Sequence, residues 1–257
     1  MSSGERGSNS TPLTLAIDHG AEEIVDLFLA RGADVNKSSA YGHSPLSCAA
    51  KEGLVSIVQR LLHEGADPTH FHPEREPSPM KGAVLARSLP IMKLLLDHGA
   101  KVDAVDTFDL YEFRGTPLDV AVMENLFEEA ELLVKEGHAD VNFTWGNNKT
   151  QVICHAAGRG NVEMMAPLLD HGADVNGGDA DYSPLYNAAS SGHLAATQWL
   201  VEHGADVERL TSNADLFKYC VIEAERHGKM AAVVEYLKAL KTESQTELMD
   251  TSMDAHE

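Results

Sequence analysis

The stretch SPLYNAASSGHLAATQWLVEHGADVE, residues 183–208, contains the features that decide the fold. It opens on a Ser-Pro pair, and proline suits the first turn of a helix because its missing N–H needs no partner there. The serine before it can cap that helix. Gly192 and Gly204 each follow a segment with helical character, and glycine accepts the left-handed backbone found at helix ends. The stretch therefore predicts two short helices joined by a tight turn.

The same unit recurs along the chain. One position, which is proline in five of six copies, lies 20 residues before a glycine each time, with successive spacings of 33, 34, 38, 35 and 32 residues. It is occupied by Pro12, Pro45, Pro79, Pro117, Val152 and Pro184. The candidate caps are Thr11, Ser44, Ser78, Thr116 and Ser183. Turns are predicted at Gly20, Gly53, Asn125, Gly160 and Gly192, and helix stops at Gly32, Gly65, Gly99, Gly137, Gly172 and Gly204.

This pattern resembles the ankyrin repeat, whose signature is TPLHxA at a period of about 33 residues. The resemblance covers residues 11–240, with repeats that start near 11, 44, 78, 116, 151 and 183 and a degenerate C-terminal cap near 215. It implies an all-α solenoid of stacked helix-turn-helix units with projecting hairpin-like loops, since one helix pair cannot bury its own apolar face. Residues 1–10 and the acidic tail 241–257 are predicted to be disordered.

Composition limits the class of partner. Forty acidic residues against 20 basic ones give a formal charge of −20, which disfavours nucleic acid and anionic lipid as partners. The charge favours a basic protein partner or simply solubility. No apolar stretch is long enough for a membrane span, and the N-terminal residues lack the apolar core of a secretory signal. Three widely separated cysteines fit reduced thiols, so we expect a cytoplasmic or nuclear protein.

Aromatic residues in the loops and polar residues of the first helices are the candidate binding residues. The loop aromatics are Tyr41, Tyr111, Phe113, Trp145 and Tyr182, and the predicted exposed first-helix residues include Lys51, Glu52 and Arg159. Because Tyr and Trp dominate interface hot spots, these rings are predicted to be protein-binding anchors. The alternative is that the rings fold back and cover helix ends.

One row within the first helices is predicted to lie in the core. The position four residues beyond the first residue of each repeat holds Leu15, Cys48, Gly82, Val120, His155 and Asn187. His155 and Asn187 would then be buried neighbours, and buried polar groups need hydrogen-bond partners. A structural bond between two repeats is therefore predicted for this pair, in preference to a catalytic role for the histidine.

The function predicted from the resemblance is that of a non-enzymatic scaffold or adaptor, which binds another protein through its concave face and loop tips. No catalytic motif is present, no cofactor or metal site is predicted, and the pair His70 and His72 is only a weak metal signal. Two alternatives stay open. One is an acidic chaperone or escort of a basic client such as a ribosomal protein or histone, and the other is a regulatory or targeting subunit of an enzyme. A monomer is expected.

The resemblance also implies a possible modification site in the loops. Asn36, Asn142 and Asn176 occupy the Asp-Val-Asn position that an asparagine hydroxylase modifies in some animal ankyrin repeats. The same asparagine is an ordinary turn residue, so both roles stay open.

Overall fold

The computed structural model describes residues 10–106, 115–144, 150–178, 182–215, 217–218, 221–222, 232–240 and 242. The chain divides into two compact units, an N-terminal unit of Met1–Asp140 and a C-terminal unit of Val141–Glu257. Both are built from repeats of two short helices, the first helix and the second helix. Among the described residues, one isolated antiparallel bridge joins Asp106 and Gly115.

The N-terminal unit contains four such repeats. Their first helices are α1 (Pro12–Asp18), α3 (Pro45–Lys51), α5 (Pro79–Leu85) and α7 (Pro117–Met123). Their second helices are α2 (Glu22–Ala30), α4 (Val55–His63), α6 (Leu89–Asp97) and α8 (Phe127–Lys135). Every first helix has seven residues and every second helix nine. The constant lengths follow from the constant spacing of helix start, turn and stop in the sequence.

The C-terminal unit continues the pattern. Its helices are α9 (Val152–Gly158), α10 (Val162–Asp170), α11 (Pro184–Ser190), α12 (Leu194–Glu202) and the short α13 (Val207–Thr211), and residues 232–240 are also helical. The predicted all-α architecture of stacked helix pairs is thereby confirmed. The helix α13 begins where the sequence pattern predicts only a loop, because the Asp206 side chain accepts the Arg209 N–H and caps a new helix.

The helices are short throughout the described part of the chain. In that part, no helix is both long enough and apolar enough to cross a membrane.

Small residues let neighbouring first helices approach closely. In the N-terminal unit α3 packs on α5, and in the C-terminal unit α9 packs on α11. The alanine pairs Ala49–Ala50, Ala156–Ala157 and Ala188–Ala189 are fully buried. A Cβ added at Gly82 of α5 would lie only 3.1 Å from the backbone nitrogen of Lys51 in α3. The first helices therefore stack almost backbone to backbone, while the second helices supply the larger apolar side chains.

The predicted caps all form. Thr11, Ser44, Ser78, Thr116 and Ser183 each accept a hydrogen bond from the backbone N–H three residues later. At the start of α9 the equivalent residue is Gln151, and its side chain makes no capping bond. This helix start therefore lacks both the cap and the proline that begin the others.

Two turn residues differ from the predicted glycine pattern. The turn between α5 and α6 places Arg87 in the left-handed region, with φ 52°. After α8, the predicted stop Gly137 is not left-handed, and the following His138 takes that conformation instead, with φ 55°. The helix α8 ends two residues before Gly137, as predicted, but the left-handed residue is shifted by one position because one extra residue precedes the Ala-Asp-Val segment in this repeat.

Candidate partner-binding surface

The first helices leave their C-terminal ends open to solvent. The exposed and half-exposed residues of the first helices and of their C-cap positions form what we call the first-helix face of each unit. In the N-terminal unit this face includes Asp18, His19, Lys51, Glu52 and Glu124. In the C-terminal unit it includes His155, Arg159, Asn187, Ser190 and Ser191. The predicted exposure of Glu52 and Arg159 is confirmed, and Lys51 is half-buried.

The prediction that His155 and Asn187 lie in the core is wrong. Both are half-buried, as are Leu15 and Cys48 at the same position, whereas Val120 is fully buried. The side-chain amide of Asn187 donates to the carbonyls of Tyr182 and Ser183, both at 3.0 Å, so its bonds stay within its own repeat. The position lies at the edge of the first-helix face, which is why the sequence tolerates polar residues there.

Tyr41 lies at the tip of the loop between α2 and α3, and the residue is 44% exposed. A turn fixes this loop, because the Gly42 N–H donates to the Ser39 carbonyl at 2.8 Å. The Arg75 guanidinium, from the next loop, donates to the Ala40 carbonyl at 3.3 Å. The Tyr41 ring is thus an exposed aromatic on a fixed backbone.

Tyr182 is the equivalent aromatic in the C-terminal unit, and the residue is 43% exposed. Its carbonyl accepts the Asn187 amide. The guanidinium of Arg209 donates to the Asn176 and Gly178 carbonyls, at 2.8 and 3.0 Å, in the segment before it. The other three predicted anchors, Tyr111, Phe113 and Trp145, lie outside the described residues.

The asparagines of the Asp-Val-Asn segments link consecutive repeats. Asn36 donates to the Gly65 carbonyl at 3.3 Å and accepts the Asp67 N–H at 2.8 Å. In the C-terminal unit, Asn142 makes the same two bonds to Gly172 and Asp174. Asn176 makes them to Gly204 and Asp206. Each of these asparagines therefore bridges two repeats, with its amide nitrogen as donor and its amide oxygen as acceptor.

The third repeat replaces this asparagine with Asp103. Its carboxylate accepts the Asp140 N–H at 3.3 Å, but a carboxylate cannot donate to a carbonyl. Burial raises the pKa of Asp103, and the nearby Asp140 and Asp119 carboxylates add to that shift.

Two acidic side chains reach back to cap the preceding repeat, and the sequence analysis missed both. Glu76 accepts the Ser44 N–H at 2.8 Å, and Asp106 accepts the Ser78 N–H at 3.1 Å. Asp106 also pairs with Lys81 at 2.7 Å, where both side chains are buried. The signal was available in the sequence, since a lysine two residues after Pro79 interrupts an otherwise apolar first helix and requires a buried counter-charge.

The two cysteines in the described part of the chain, Cys48 and Cys154, are unsuited to nucleophilic chemistry. Cys48 and His43 each lie within electrostatic range of the Asp18 carboxylate. Burial raises the pKa of the Cys48 thiol far above its ordinary value, and the Asp18 and Glu76 carboxylates raise it further. Burial likewise raises the pKa of Cys154 to about 11. Both thiols stay protonated at neutral pH, and the thiol is a poor nucleophile.

The described residues also offer no obvious metal centre. Among them, no group of three or more His, Cys, Asp or Glu side chains is arranged to hold a metal ion. Stacked helix pairs, loop-tip aromatics and an open first-helix face are features of a surface that binds another macromolecule.

The family model described as ankyrin repeats matches residues 2–72 and 118–211. This chain belongs to the ankyrin-repeat proteins. It is 34% identical over 179 residues to the nuclear factor NF-kappa-B p105 subunit of Gallus gallus, an alignment that covers 69% of this chain and 18% of that protein. It is also 33% identical over 162 residues to an ankyrin repeat protein of fowlpox virus, covering 63% of this chain and 35% of the relative. The ankyrin chain thus spans about a third or less of the length of these relatives.

Solved ankyrin structures have the same fold. The ankyrin repeat domain of Bcl-3, described as a member of the IkappaB protein family, aligns with a TM-score of 0.64 at 29% identity, covering 77% of this chain and 88% of that domain. The human ASB11 ankyrin repeat domain aligns with a TM-score of 0.64 at 22% identity, covering 83% of this chain and 97% of that domain. Ankyrin repeats generally mediate protein–protein interaction, and the fold is typically not catalytic.

Proposed function

We propose that this ankyrin chain is a non-enzymatic scaffold or adaptor that binds a partner protein on its first-helix faces and loop tips. The observation that carries the proposal is the pair of exposed tyrosines, Tyr41 and Tyr182, each at a loop tip with a hydrogen-bonded backbone. Anchors that are already ordered lose little conformational entropy on binding. The raised pKa values of Cys48 and Cys154 argue against a catalytic role for either thiol.

Site-specific photo-crosslinking tests this proposal. A photoreactive phenylalanine is placed at Tyr41 or Tyr182 in the full chain, and crosslinked proteins from the native cell are identified by mass spectrometry. Phe127 is the matched control, because it is an aromatic residue 41% exposed at the start of the second helix α8. We expect the same partner at 41 and 182 and no such partner at 127. Equal crosslinking at all three positions would contradict the proposal.

A basic client is the second candidate function, and the acids of the second helices favour it. In the N-terminal unit Glu22, Glu23 and Asp26 cluster on α2, and Arg60 pairs with Glu22 and Asp26 at 2.8 Å each. A client held by such charges should be released when salt is raised, because exposed ion pairs are screened. In a pulldown without crosslinking, a partner that stays bound through a high-salt wash would reject this candidate. The third candidate function is a regulatory or targeting subunit of an enzyme. It predicts instead that the partner found by crosslinking is itself an enzyme.

Hydroxylation of Asn36, Asn142 and Asn176 remains a separate proposal, which rests on the family resemblance. The three side chains share one geometry, with the same two bonds to the next repeat. Intact-mass analysis of the native protein would show added oxygen if the modification occurs, and an unmodified mass would count against it.

The expected oligomeric state and location are tested separately. Size-exclusion chromatography of the native protein tests the expected monomer, and cell fractionation tests the expected cytoplasmic or nuclear location.

A further inference from the structure

We propose that the first-helix face of the C-terminal unit binds an extended segment of the partner through an acidic side chain of that segment. The inference rests on the proposed function and names the chemistry that one part of the surface selects. It concerns Arg159, Asn187 and Tyr182: Asn187 lies beside Gly158, the neighbour of Arg159, and donates to the Tyr182 carbonyl.

The two first helices of the C-terminal unit carry no carboxylate that would compete with an acidic ligand. Neither α9 nor α11, nor the C-cap residues Arg159 and Ser191, contributes an Asp or Glu, although the chain carries 40 acidic residues. Other acids of the C-terminal unit include Glu163, Asp170 and Glu202 on the second helices and Glu208 on α13. Asp179 and Asp181 precede Tyr182 in the sequence and lie outside the described residues. The loop carboxylates Asp174 and Asp206 accept backbone N–H groups of their own turns.

Arg159 supplies the cation. Its side chain is exposed, and its backbone is fixed at the C-cap of α9. Within the described ranges its guanidinium makes no hydrogen bond and no ion pair. Arginine binds a carboxylate with two parallel N–H···O bonds, which gives geometric specificity as well as affinity. The group is therefore available to a carboxylate brought by a partner.

Asn187 supplies an acceptor beside that cation. A Cβ added at Gly158, the neighbour of Arg159, would lie 3.9 Å from Asn187 Oδ1, so the amide oxygen borders the same part of the face. The two bonds from Asn187 Nδ2 to the Tyr182 and Ser183 carbonyls fix the amide plane. Oδ1 can therefore accept a backbone N–H of an extended peptide without reorganisation.

Tyr182 completes the row as an aromatic anchor. The Asn187 amide donates to the Tyr182 carbonyl, so a hydrogen bond to α11 holds the backbone that carries the exposed ring. A peptide could place aliphatic atoms on the ring and its carboxylate on Arg159.

The net charge of the chain does not prevent this contact. At physiological ionic strength the Debye length is about 8 Å, so exposed carboxylates farther than that from Arg159 are largely screened. The local pairing of a guanidinium with a carboxylate then decides the selectivity.

Peptide pools test the inference on the full chain. Three pools of short fluorescent peptides share random neutral flanks and differ in a fixed central Asp, Asn or Lys, and binding is measured by fluorescence anisotropy at physiological salt. We expect the Asp pool to bind about tenfold tighter than the Asn pool, as a charge-assisted hydrogen bond would give. Arg159→Glu should remove this preference and tighten the Lys pool.

The matched control is Arg31→Glu, because Arg31 is also an exposed arginine at a helix C-cap, on the second helix α2. It should leave the order of the pools unchanged, and circular dichroism should show that both variants fold. A Lys preference in the wild type, an unchanged order in Arg159→Glu, or no binding of any pool would overturn the inference. Crosslinking at Tyr41, on the other unit, would still test the proposed function independently.

Discussion

Glu76 shows how a single buried side chain makes stability depend on pH. Its carboxyl group is buried, it accepts the Ser44 and His72 N–H groups, and no ion pair with it forms among the described residues. Burial raises the pKa of Glu76 to about 8, although the two N–H bonds act in the opposite direction. The folded state therefore holds a proton that the unfolded state loses near its ordinary value of 4.5.

We expect the contribution of Glu76 to be fully present below pH 4.5 and to be lost as the pH rises through about 8. Glu76→Gln, which stays neutral, should be more stable than the wild type at pH 9 by about 1.4 kcal/mol or more and similar to it at acid pH. Urea unfolding across this range measures the difference. The contribution of His43 to stability has the opposite pH dependence, because burial lowers the pKa of His43 and its contribution is lost as the pH falls. The wild-type curve combines both effects, so the difference between the wild type and Glu76→Gln is the decisive measurement.

Asp103 provides a test of the hydrogen-bonded bridge between repeats. The bridging asparagines use an acceptor and a donor, whereas Asp103 has only acceptors and its burial disfavours the charged form. Asp103→Asn should restore a donor towards the carbonyl of the next helix stop and stabilise the fold by about 0.5–1.5 kcal/mol. Asn142→Asp is the reverse change and should destabilise by a similar amount in urea unfolding. Stabilisation by both changes would show that the bridge is not the cause.

At the scale of the helices, the stop after α8 is the weakest of the series. Five stops use a left-handed glycine, and this one uses His138, for which the left-handed backbone costs about 1 kcal/mol. His138→Gly should therefore raise the free energy of unfolding by about that amount. Gly172→Ala is the control, because a Cβ there meets nothing within 4 Å. Any loss in its free energy of unfolding therefore comes from the left-handed backbone alone. If His138→Gly destabilises, the imidazole has contacts that outweigh the strain.

How much the sequence predicts differs from one part of an element to another. Proline, cap and glycine spacing located the helices, because these residues act through local backbone chemistry. Side-chain contacts between repeats were harder to predict, since Glu76 and Ser44 are 32 residues apart and nothing local pairs them. The half-exposed position of Asn187 was missed for the same reason, because burial along a first helix depends on how closely its neighbour stacks. Tyr41 and Tyr182 were identifiable because loops leave aromatic rings little to pack against.

At the scale of the whole molecule, charge is the dominant feature. Twice as many acidic as basic residues give a charge of −20, and like charges in a compact chain repel each other more than in an unfolded one. The exposed ion pairs of the described part, such as those of Arg60 with Glu22 and Asp26, each contribute little. Added salt screens both effects, and we expect the loss of repulsion to outweigh the loss of ion pairs.

The melting temperature of the full chain should therefore rise between low and moderate sodium chloride concentration. An uncharged osmolyte at matched osmolarity separates screening from solvent exclusion, because it cannot screen charge and should not reproduce the steep initial rise. The double variant Glu22→Gln/Asp26→Asn lowers the net negative charge on α2 and should reduce the salt dependence. A melting temperature that falls with salt would mean that local pairs outweigh repulsion, and the acids of α2 would then be structural partners of Arg60 more than a free surface for a basic client.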